Sequence, residues 1–339
     1  MGKNNRTLER LGEFGWLHKL LPRLHWPKSI YPQLCIGPGD DAGVVRLTPG
    51  KVLVATTDAM VEGIHFERQW FPWKALGEKV LTVNLSDLAA MGAVKPLAAL
   101  ITAAIPEDTP VHIVDKFYQG LDNCAKRWKT GVLGGDTVGS KSGWFVSVTV
   151  FGEANPRYLV RRKGARVGDL IVTTGPLGLA AGGLEVLQKG KRGWTWTKPL
   201  VSAFCSPQPR FREGEILGRH RWATSLIDSS DGLEASVRLL SENSSLGARI
   251  DLDAFPIHPV LERWAAAQKR PAWEYILRGG EDYELVFTVN PGHWPHIQRR
   301  FRRAIIVGQM LPSSAGCVAV QGRCQFPLKS YGFTHFKKS

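Results

Sequence analysis

The chain has 339 residues, of which 43% are hydrophobic and 22% charged, and its formal net charge is +14 at pH 7. This length suits two domains with sizeable cores, and the composition is ordinary for a soluble globular protein. Five cysteines are scattered without C-x-x-C pairs, which argues against a zinc site or a disulfide framework and favours a reducing cytoplasm. The longest apolar stretch, Leu97 to Ile105, is half the length of a membrane span, so we expect no membrane segment.

The positive net charge suggests nucleic acid as a possible partner, because a basic face binds phosphate backbones by releasing counterions. The Lys and Arg residues are dispersed, however, and form no known nucleic-acid signature. They lie in the segments 157–166, 189–192, 210–221, 299–303 and 337–338. A solvated surface is the preferred interpretation, and we expect no nucleic-acid partner.

In the first half of the chain, hydrophobic periodicity predicts alternating helices and strands. The helices are expected over residues 8–24, 76–93 and 111–128, and the strands over 52–57, 97–104, 131–137 and 144–151. Pro96 is expected to end the second helix. Gly152–Arg157 contains Gly, Asn and Pro and is a plausible domain boundary.

The second half also alternates strands and helices, so α+β or α/β layers are predicted for both halves. A strand at Leu170–Thr174 leads into G-P-L-G-L-A-A-G-G-L, where a helix N-terminus is expected to cradle phosphate, although this is no Walker A loop. Residues 226–240 read as strand, turn and helix, with Ser230 or Asp231 as the expected N-cap.

Six stretches of the chain contain acidic residues that could bind a ligand. Most of these acids are next to Gly or Thr, and several follow the end of a predicted strand. The acids are Asp41, Asp58, Asp87, Asp136, Asp228 with Asp231, and Glu281 with Asp282. Each stretch alone is ordinary turn chemistry. If the acids converge on one cleft, they repel one another unless divalent cations neutralise them, and Mg²⁺ takes oxygen ligands that it shares with substrate phosphates. This pattern favours phosphoryl transfer with several Mg²⁺ ions.

With these motifs, the chain resembles the thiamine-monophosphate kinases, which belong to the superfamily of aminoimidazole ribonucleotide synthetase and selenophosphate synthetase. The shared motifs cover nearly the whole chain: G-D-D-A, T-T-D-x-x-V-E-G-I-H-F, V-N-L-S-D-L-A-A-M-G-A, G-G-D-T, R-x-G-A-x-x-G-D, D-S-S-D-G-L, G-G-E-D-Y-E-L and G-F-T-H-F. An aminoimidazole ribonucleotide synthetase would show D-G-V-G-T-K instead, and a selenophosphate synthetase would need a reactive Cys with a nearby Lys.

The resemblance implies a two-domain α+β fold like that of aminoimidazole ribonucleotide synthetase. Residues 1–154 would form an N-terminal α+β domain that binds ATP and Mg²⁺ and pairs its sheet with a second copy in a homodimer. Residues 155–339 would form a C-terminal α/β domain that completes the active site. The implied reaction is ATP-dependent phosphorylation of thiamine monophosphate to thiamine diphosphate, without a phosphoenzyme. Another ATP-using enzyme of this superfamily, or a basic nucleic-acid-binding protein on this fold, remains an alternative.

The resemblance also implies roles for individual residues. The implied Mg²⁺ ligands are Asp41, Thr56, Thr57, Asp58, Asp87, Asp136, Asp228 and Asp231. The implied ATP contacts are Tyr118, Gly135, Asp136, Arg162 and Ser230, and the implied substrate contacts are His65, Glu281 and Phe333. Direct catalytic roles fall to Asp58, Asp136 and Arg162. The chain departs from the family pattern at I-G-P-G-D-D, where a shorter G-I-G-D-D is usual, and at Phe333, where Trp or Tyr is common.

Overall fold

The structure is a computed structural model that describes residues 33–36, 44–191, 193–329 and 332. The helix predicted over residues 8–24 lies outside these residues, as do Asp41 and Phe333. The described chain divides into two compact units. Unit 1 comprises the described residues as far as Leu88 together with Val94–Pro156, and unit 2 comprises Ala89–Ala93 and the described residues from Arg157 onward.

Unit 1 combines a sheet with two long helices. Its elements are β1 (Leu34–Ile36), β2 (Val44–Val45), β3 (Val52–Val61), α1 (Trp73–Ala90), β4 (Gly92–Pro106), α2 (Val111–Trp128), β5 (Gly131–Ser140) and β6 (Phe145–Leu159). β1 pairs with β2, and the main sheet has the strand order β3-β6-β4-β5. β3 and β6 are antiparallel, whereas β4 and β5 are parallel and are joined by α2, as a parallel pair requires.

The two helices of unit 1 cross at a pair of glycines. A Cβ on Gly77 would lie 1.9 Å from the carbonyl oxygen of Phe117, and one on Gly120 would lie 1.9 Å from that of Lys74. Only glycine permits backbones to approach this closely. The contact fixes α2 against α1, which carries the predicted ligand Asp87.

The sheet of unit 1 has one buried face and one open face. Along β4, Ile101 and Ala103 are buried, whereas the intervening Thr102 is exposed. Each strand contributes a large exposed apolar side chain, namely Leu53, Leu100, Val138 and Phe145, which are 52%, 37%, 46% and 37% exposed. An apolar sheet face of this kind marks a surface that a partner can cover.

The C-terminal end of α1 differs from the sequence-based expectation. α1 ends at Ala90 rather than at Pro96, because Gly92 has a φ of +91° and turns the chain directly into β4. Pro96 therefore lies inside a strand. The segment Gly152–Arg157, the plausible domain boundary, contains the division between the two units, which falls after Pro156, and it is also part of β6, whose ladder with β3 continues to the pair Val52 and Ala154.

Unit 2 is built around one long sheet. Its elements are β7 (Leu170–Thr173), α3 (Leu179–Gln188), α4 (Lys198–Cys205), α5 (Phe211–Arg219), β8 (Ala223–Asp228), α6 (Leu233–Ser244), β9 (Gly247–Asp251), α7 (Pro259–Ala267), α8 (Ala272–Arg278), β10 (Leu285–Val289), α9 (Trp294–Arg300), β11 (Ile305–Leu311), β12 (Cys317–Gln321) and β13 (Cys324–Pro327). The strand order is β13-β12-β9-β11-β7-β10-β8.

Both faces of this sheet are buried under helices. Ile171 and Val286 belong to one apolar cluster, which includes residues of α3, α6, α7 and α8. Val172 and Phe287, their neighbours along the strands, belong to a second cluster with residues of α5 and α9. Alternation along β7 and β10 therefore supplies two cores, which explains why these strands are apolar almost throughout.

The mixture of helices and sheets predicted for both halves of the chain is confirmed. In the part of the chain that the structure describes, no helix combines the length and the apolar character that crossing a membrane requires.

Candidate functional site

In unit 1, the side chains of β3 and α1 meet at a group of oxygen atoms. The Thr56 hydroxyl donates a hydrogen bond of 2.6 Å to the Asp87 carboxylate, and the Asp58 amide donates one of 2.9 Å to the side-chain oxygen of Asn84. Asn84 is fully buried and its NH₂ group donates to the carbonyl of Val80 within α1. The helix thus fixes the strand position that carries Thr56 and Asp58.

Thr57 lies on the opposite face of β3 from these two residues, because successive strand side chains alternate. Its hydroxyl donates to the carbonyl of Val148, and it accepts a hydrogen bond of 3.0 Å from the Thr149 hydroxyl on β6. The side chains of Thr56 and Thr57 are therefore not brought together.

Asp136 lies far from Asp58 within unit 1. Asp136 is on β5 opposite the exposed Thr102, so its side chain is on the open face of the sheet, as is that of Val138. Asp58 pairs with the buried Val148 and is therefore on the opposite face. β3 and β5 are the two outer strands, with β6 and β4 between them. Three strand spacings correspond to about 14 Å across the sheet. Unit 1 by itself does not bring the two acids together.

Tyr118 and Gly135 both help to fix the position of β5. Tyr118 is 5% exposed and its hydroxyl bonds the Thr137 side chain, while burial raises the pKa of this phenol to about 12. A Cβ on Gly135 would lie 1.9 Å from the carbonyl oxygen of Ile101, so glycine is required for β5 to pair with β4. Both residues hold the strand that carries Asp136.

His65 is half-buried and bonds its own loop. Its Nδ1 accepts a hydrogen bond of 3.0 Å from the Val61 amide. In the neutral imidazole the proton therefore resides on Nε2, which makes that nitrogen a donor.

In unit 2, the turn after β8 and the loop before β10 lie side by side. Asp228 is buried at the end of β8, the Ser230 hydroxyl donates to the Asp231 carboxylate at 3.0 Å, and the Glu281 amide donates to the Ser230 carbonyl at 2.7 Å. A Cβ on Gly332 would lie 1.9 Å from the carbonyl oxygen of Asp231, so Gly332 also lies against this turn. The structure thus brings Ser230, Asp231 and Glu281 together.

The N-cap expected for α6 was wrong. The cap is Gly232, with a φ of +97° and no side-chain hydrogen bond, rather than Ser230 or Asp231. A Cβ on Gly232 would lie 2.7 Å from the carbonyl oxygen of Leu277, so the backbone of α8 leaves room only for glycine at this position. Capping accordingly explains neither acid of D-S-S-D.

Arg162 is exposed on the loop between β6 and β7, and this loop is firmly held. The Arg161 carbonyl accepts from the Leu226 amide on β8, and the Ser244 hydroxyl accepts from the amides of Gly164 and Ala165 at 3.2 Å each. Asp169, which is 2% exposed, closes the loop by accepting from the Arg166 amide.

The N-terminus of α3, where the sequence predicted a phosphate cradle, is already occupied. The Asp282 carboxylate accepts hydrogen bonds from the Gly178 amide at 2.5 Å and from the Ala180 amide at 3.0 Å. Burial raises the pKa of the Asp282 carboxyl to about 7, while the two N–H groups act in the opposite direction. The expectation of phosphate at this helix was therefore wrong, because a carboxylate of the same unit fills the anion position.

In the described residues, no three His, Cys, Asp or Glu side chains are arranged to hold a metal ion. This agrees with the separation of the acids in unit 1. Thr56, Asp58 and Asp87 still form an oxygen-only set, and Mg²⁺ usually takes one or two carboxylates, several waters and substrate phosphates. The donor chemistry therefore fits a hydrated Mg²⁺ without forming a complete cage.

Comparison with known proteins identifies the family. The family model described as AIR synthase related protein, N-terminal domain, matches residues 39–154. The thiamine-monophosphate kinase of Synechococcus elongatus is 34% identical over an alignment that covers 98% of this chain and 99% of that protein. The chain belongs to the thiamine-monophosphate kinase family.

Solved structures of this kinase family agree with the fold. The thiamine-monophosphate kinase of Stenotrophomonas maltophilia K279a is 29% identical, with a TM-score of 0.79 over 91% of this chain and 96% of that one. The structure of AaThiL complexed with AMPPCP and TMP is 29% identical, with a TM-score of 0.77 over 98% and 100% of the two chains. The predicted family and its fold class are confirmed.

Sequence reasoning missed one buried ion pair beside the acids of this kinase. Glu284 is 3% exposed, accepts from the Thr174 hydroxyl at 2.6 Å and from Arg210 Nε at 2.8 Å, and so ties β10 to the ends of β7 and α5. The available signal was its position next to the apolar strand β10, since a buried carboxylate requires a partner. No sequence motif identifies Arg210 as that partner.

Proposed function

We propose that this protein phosphorylates thiamine monophosphate to thiamine diphosphate with ATP as the phosphoryl donor. The observation that carries the proposal is the match over 98% of the chain to AaThiL, whose solved structure holds AMPPCP, an ATP analogue, together with TMP. A terminal phosphate oxygen of the acceptor attacks the γ-phosphorus, a new P–O bond forms, and the bond to the β,γ-bridging oxygen breaks to release ADP. No general base is needed, because the attacking phosphate is already ionised near neutral pH.

We propose that Thr56, Asp58 and Asp87 help to hold Mg²⁺ in unit 1. Two anionic substrates must approach each other, and the ion supplies charge neutralisation on the phosphates when it is bound. Asn84 fixes the backbone of Asp58, and the Thr56 hydroxyl holds the Asp87 carboxylate, so little reorganisation accompanies binding. The further ligands Asp41, Thr57, Asp136, Asp228 and Asp231 stay predictions.

The remaining residues are assigned to the two substrates. His65 presents its Nε2–H as a donor to the acceptor, because its Nδ1 is engaged by the Val61 amide. Glu281 and Phe333 are assigned to the same acceptor, and Ser230, Gly135 and Tyr118 to ATP. Arg162 offers a guanidinium that can stabilise charge on the transferred group. Its loop is held by hydrogen bonds to Ser244, which restricts where the guanidinium can go.

We also propose a homodimer formed through the open sheet face of unit 1. Leu53, Leu100, Val138 and Phe145 give that face four large apolar side chains, one on each strand. Light scattering at micromolar concentration should give about twice the chain mass, and Val138→Lys, which puts a charge on this apolar face, should give a monomer. A wild-type protein that is monomeric and fully active contradicts the dimer.

We also propose a cytoplasmic location, because the five scattered cysteines without C-x-x-C pairs favour a reducing compartment.

A direct assay tests the reaction. The purified protein is incubated with ATP, Mg²⁺ and thiamine monophosphate, and thiamine diphosphate and ADP are quantified by chromatography. Equal amounts of both products are expected, and EDTA should abolish them. Omission of thiamine monophosphate is the control, since ADP formed without acceptor reports hydrolysis. ADP release without thiamine diphosphate would favour another acceptor within the superfamily, and salt-dependent retention on DNA without any ATP turnover would favour the nucleic-acid alternative.

A further inference from the structure

The loop between α8 and β10 contains two non-glycine residues in the left-handed region. Glu281 has a φ of +71° and Tyr283 a φ of +51°, with Asp282 between them. Such a conformation is unfavourable for an L-residue, and it persists only where the surroundings hold it. Two instances within three residues indicate a loop whose shape is imposed by its contacts.

The backbone on either side of Asp282 is fastened to the turn after β8. The Glu281 amide donates to the Ser230 carbonyl at 2.7 Å, and the Tyr283 amide donates to the Ser229 carbonyl at 3.0 Å. A Cβ on Gly280 would lie 2.2 Å from the Ser230 carbonyl oxygen, so the loop and the turn are in direct backbone contact.

The Asp282 side chain provides the attachment in the other direction, to α3. The N-cap residue of α3 is Gly178, which has no side chain with which to satisfy the first amides of the helix. The Asp282 carboxylate instead accepts hydrogen bonds from two of these amides, although it is more than 100 residues away in the sequence. A carboxylate at a helix N-terminus is favoured both by these hydrogen bonds and by the helix dipole.

We propose that Asp282 is a positioning residue for the acceptor substrate, because its carboxylate anchors the loop to the N-terminus of α3 and thereby holds Glu281 in its left-handed conformation. This inference rests on the proposed function, in which Glu281 contacts thiamine monophosphate. Asp282 acts through Glu281 and is not assigned any contact with a substrate. Without the anchor, the strained φ angles relax and the Glu281 carboxylate leaves the acceptor.

The test compares Asp282→Ala with Asp282→Asn and with a matched control. Asp282→Ala should raise the KM for thiamine monophosphate about tenfold, with the KM for ATP nearly unchanged, because misplacement of a binding group by a fraction of an ångström is costly. Asp282→Asn keeps one acceptor oxygen and should retain most of the affinity. Asp251→Ala removes a local aspartate cap elsewhere in unit 2, where Asp251 accepts from the Asp253 amide at the start of a short 3-10 turn, and should leave both constants unchanged.

A double variant and hydrogen exchange complete the experiment. If Asp282 acts through Glu281, Glu281→Ala combined with Asp282→Ala should raise the KM little more than Glu281→Ala alone. Amides 281 and 283 should exchange faster in Asp282→Ala than in wild type, but not in Asp251→Ala.

The outcomes are distinguishable from failure of the proposed function. An Asp282→Ala protein with a lower melting temperature but an unchanged KM for thiamine monophosphate overturns the proposal, as does an equal rise in both constants or full additivity in the double variant. Should Asp282→Ala not fold, the KM for thiamine monophosphate and the exchange of amides 281 and 283 are compared in Asp282→Asn: the two should rise together, and faster exchange without a rise in the KM overturns the proposal. A wild-type protein without kinase activity refutes the proposed function, and the exchange of amides 281 and 283 then decides whether Asp282 holds the loop.

Discussion

The acids of unit 1 and those of unit 2 are held in place by different means. In unit 1, Asp58 and Asp136 lie on regular strands and Asp87 lies on a helix, so the backbone ladders set their positions. In unit 2, Asp231 and Glu281 lie on a turn and a loop, and the loop is fastened to α3 and to the end of β7 by its own carboxylates, Asp282 and Glu284. The difference implies that the acids of unit 1 can be changed with little effect on folding, whereas the polar residues of unit 2 serve the site and the fold together.

The largest effect is expected from Glu284→Ala in unit 2. It removes the partner of Arg210 and the acceptor of the Thr174 hydroxyl, and breaking such a buried pair costs roughly 3–5 kcal/mol. Urea denaturation should show this loss in the free energy of unfolding.

The matched control for Glu284→Ala is Glu215→Ala. Glu215 forms an exposed pair with Arg219 on α5, and such pairs contribute about 0.3–0.5 kcal/mol. Similar losses from the two substitutions would show that Glu284 is not part of the support for the loop.

Asp58→Asn should show the opposite behaviour in unit 1. Losing a carboxylate that holds Mg²⁺, the ion that would neutralise phosphate charge, should lower kcat by at least about a hundredfold, which corresponds to about 2.7 kcal/mol of transition-state stabilisation. The melting temperature should stay the same or rise slightly, because the charge repulsion between Asp58 and Asp87 is removed. Turnover near the wild-type value at saturating Mg²⁺ would remove Asp58 from the metal site.

His65 tests whether one residue of unit 1 combines both roles. His65→Ala should raise the KM for thiamine monophosphate roughly tenfold, or about 1.4 kcal/mol, with little change in the KM for ATP. It also deprives the Val61 amide of its acceptor, so the melting temperature should fall. His65→Asn can keep that acceptor while losing the Nε2 donor, and should raise the same constant without the loss of stability. Unchanged constants with a lower melting temperature in His65→Ala would make the histidine purely structural.

The sequence predicted regular elements better than their ends. Helix α2 has the predicted bounds Val111–Trp128, because its apolar positions repeat at helical spacing and give it one buried face. Gly92 was read as part of the preceding helix, although a positive φ makes it the point where the chain turns into β4. The segment Gly152–Arg157, predicted as a domain boundary from its Gly, Asn and Pro, contains the division between the two units, but it also continues strand β6, which no local pattern reveals.

The candidate site was predictable where one motif contains both partners, and not where the partners are distant in sequence. Alternation along β3 suffices to separate Thr57 from Thr56 and Asp58. The occupation of the α3 N-terminus by Asp282, by contrast, joins positions 178 and 282, and glycines before a helix are compatible with a phosphate or a carboxylate alike. Only the fold distinguishes these two anions.

The smallest effect is expected from Tyr118→Phe, which tests how a residue assigned to ATP acts in unit 1. Tyr118 is buried on α2 and its hydroxyl bonds the Thr137 side chain, one position from Asp136. Losing this bond should cost about 1 kcal/mol of stability. The KM for ATP should rise no more than about threefold, which is less than 1 kcal/mol, because the ring still supports β5. Thr137→Val removes the same bond from the other side and serves as the control. If Tyr118→Phe raises the KM for ATP tenfold while Thr137→Val does not, the phenol contacts the nucleotide directly; equal, small effects show that both residues hold β5 in place.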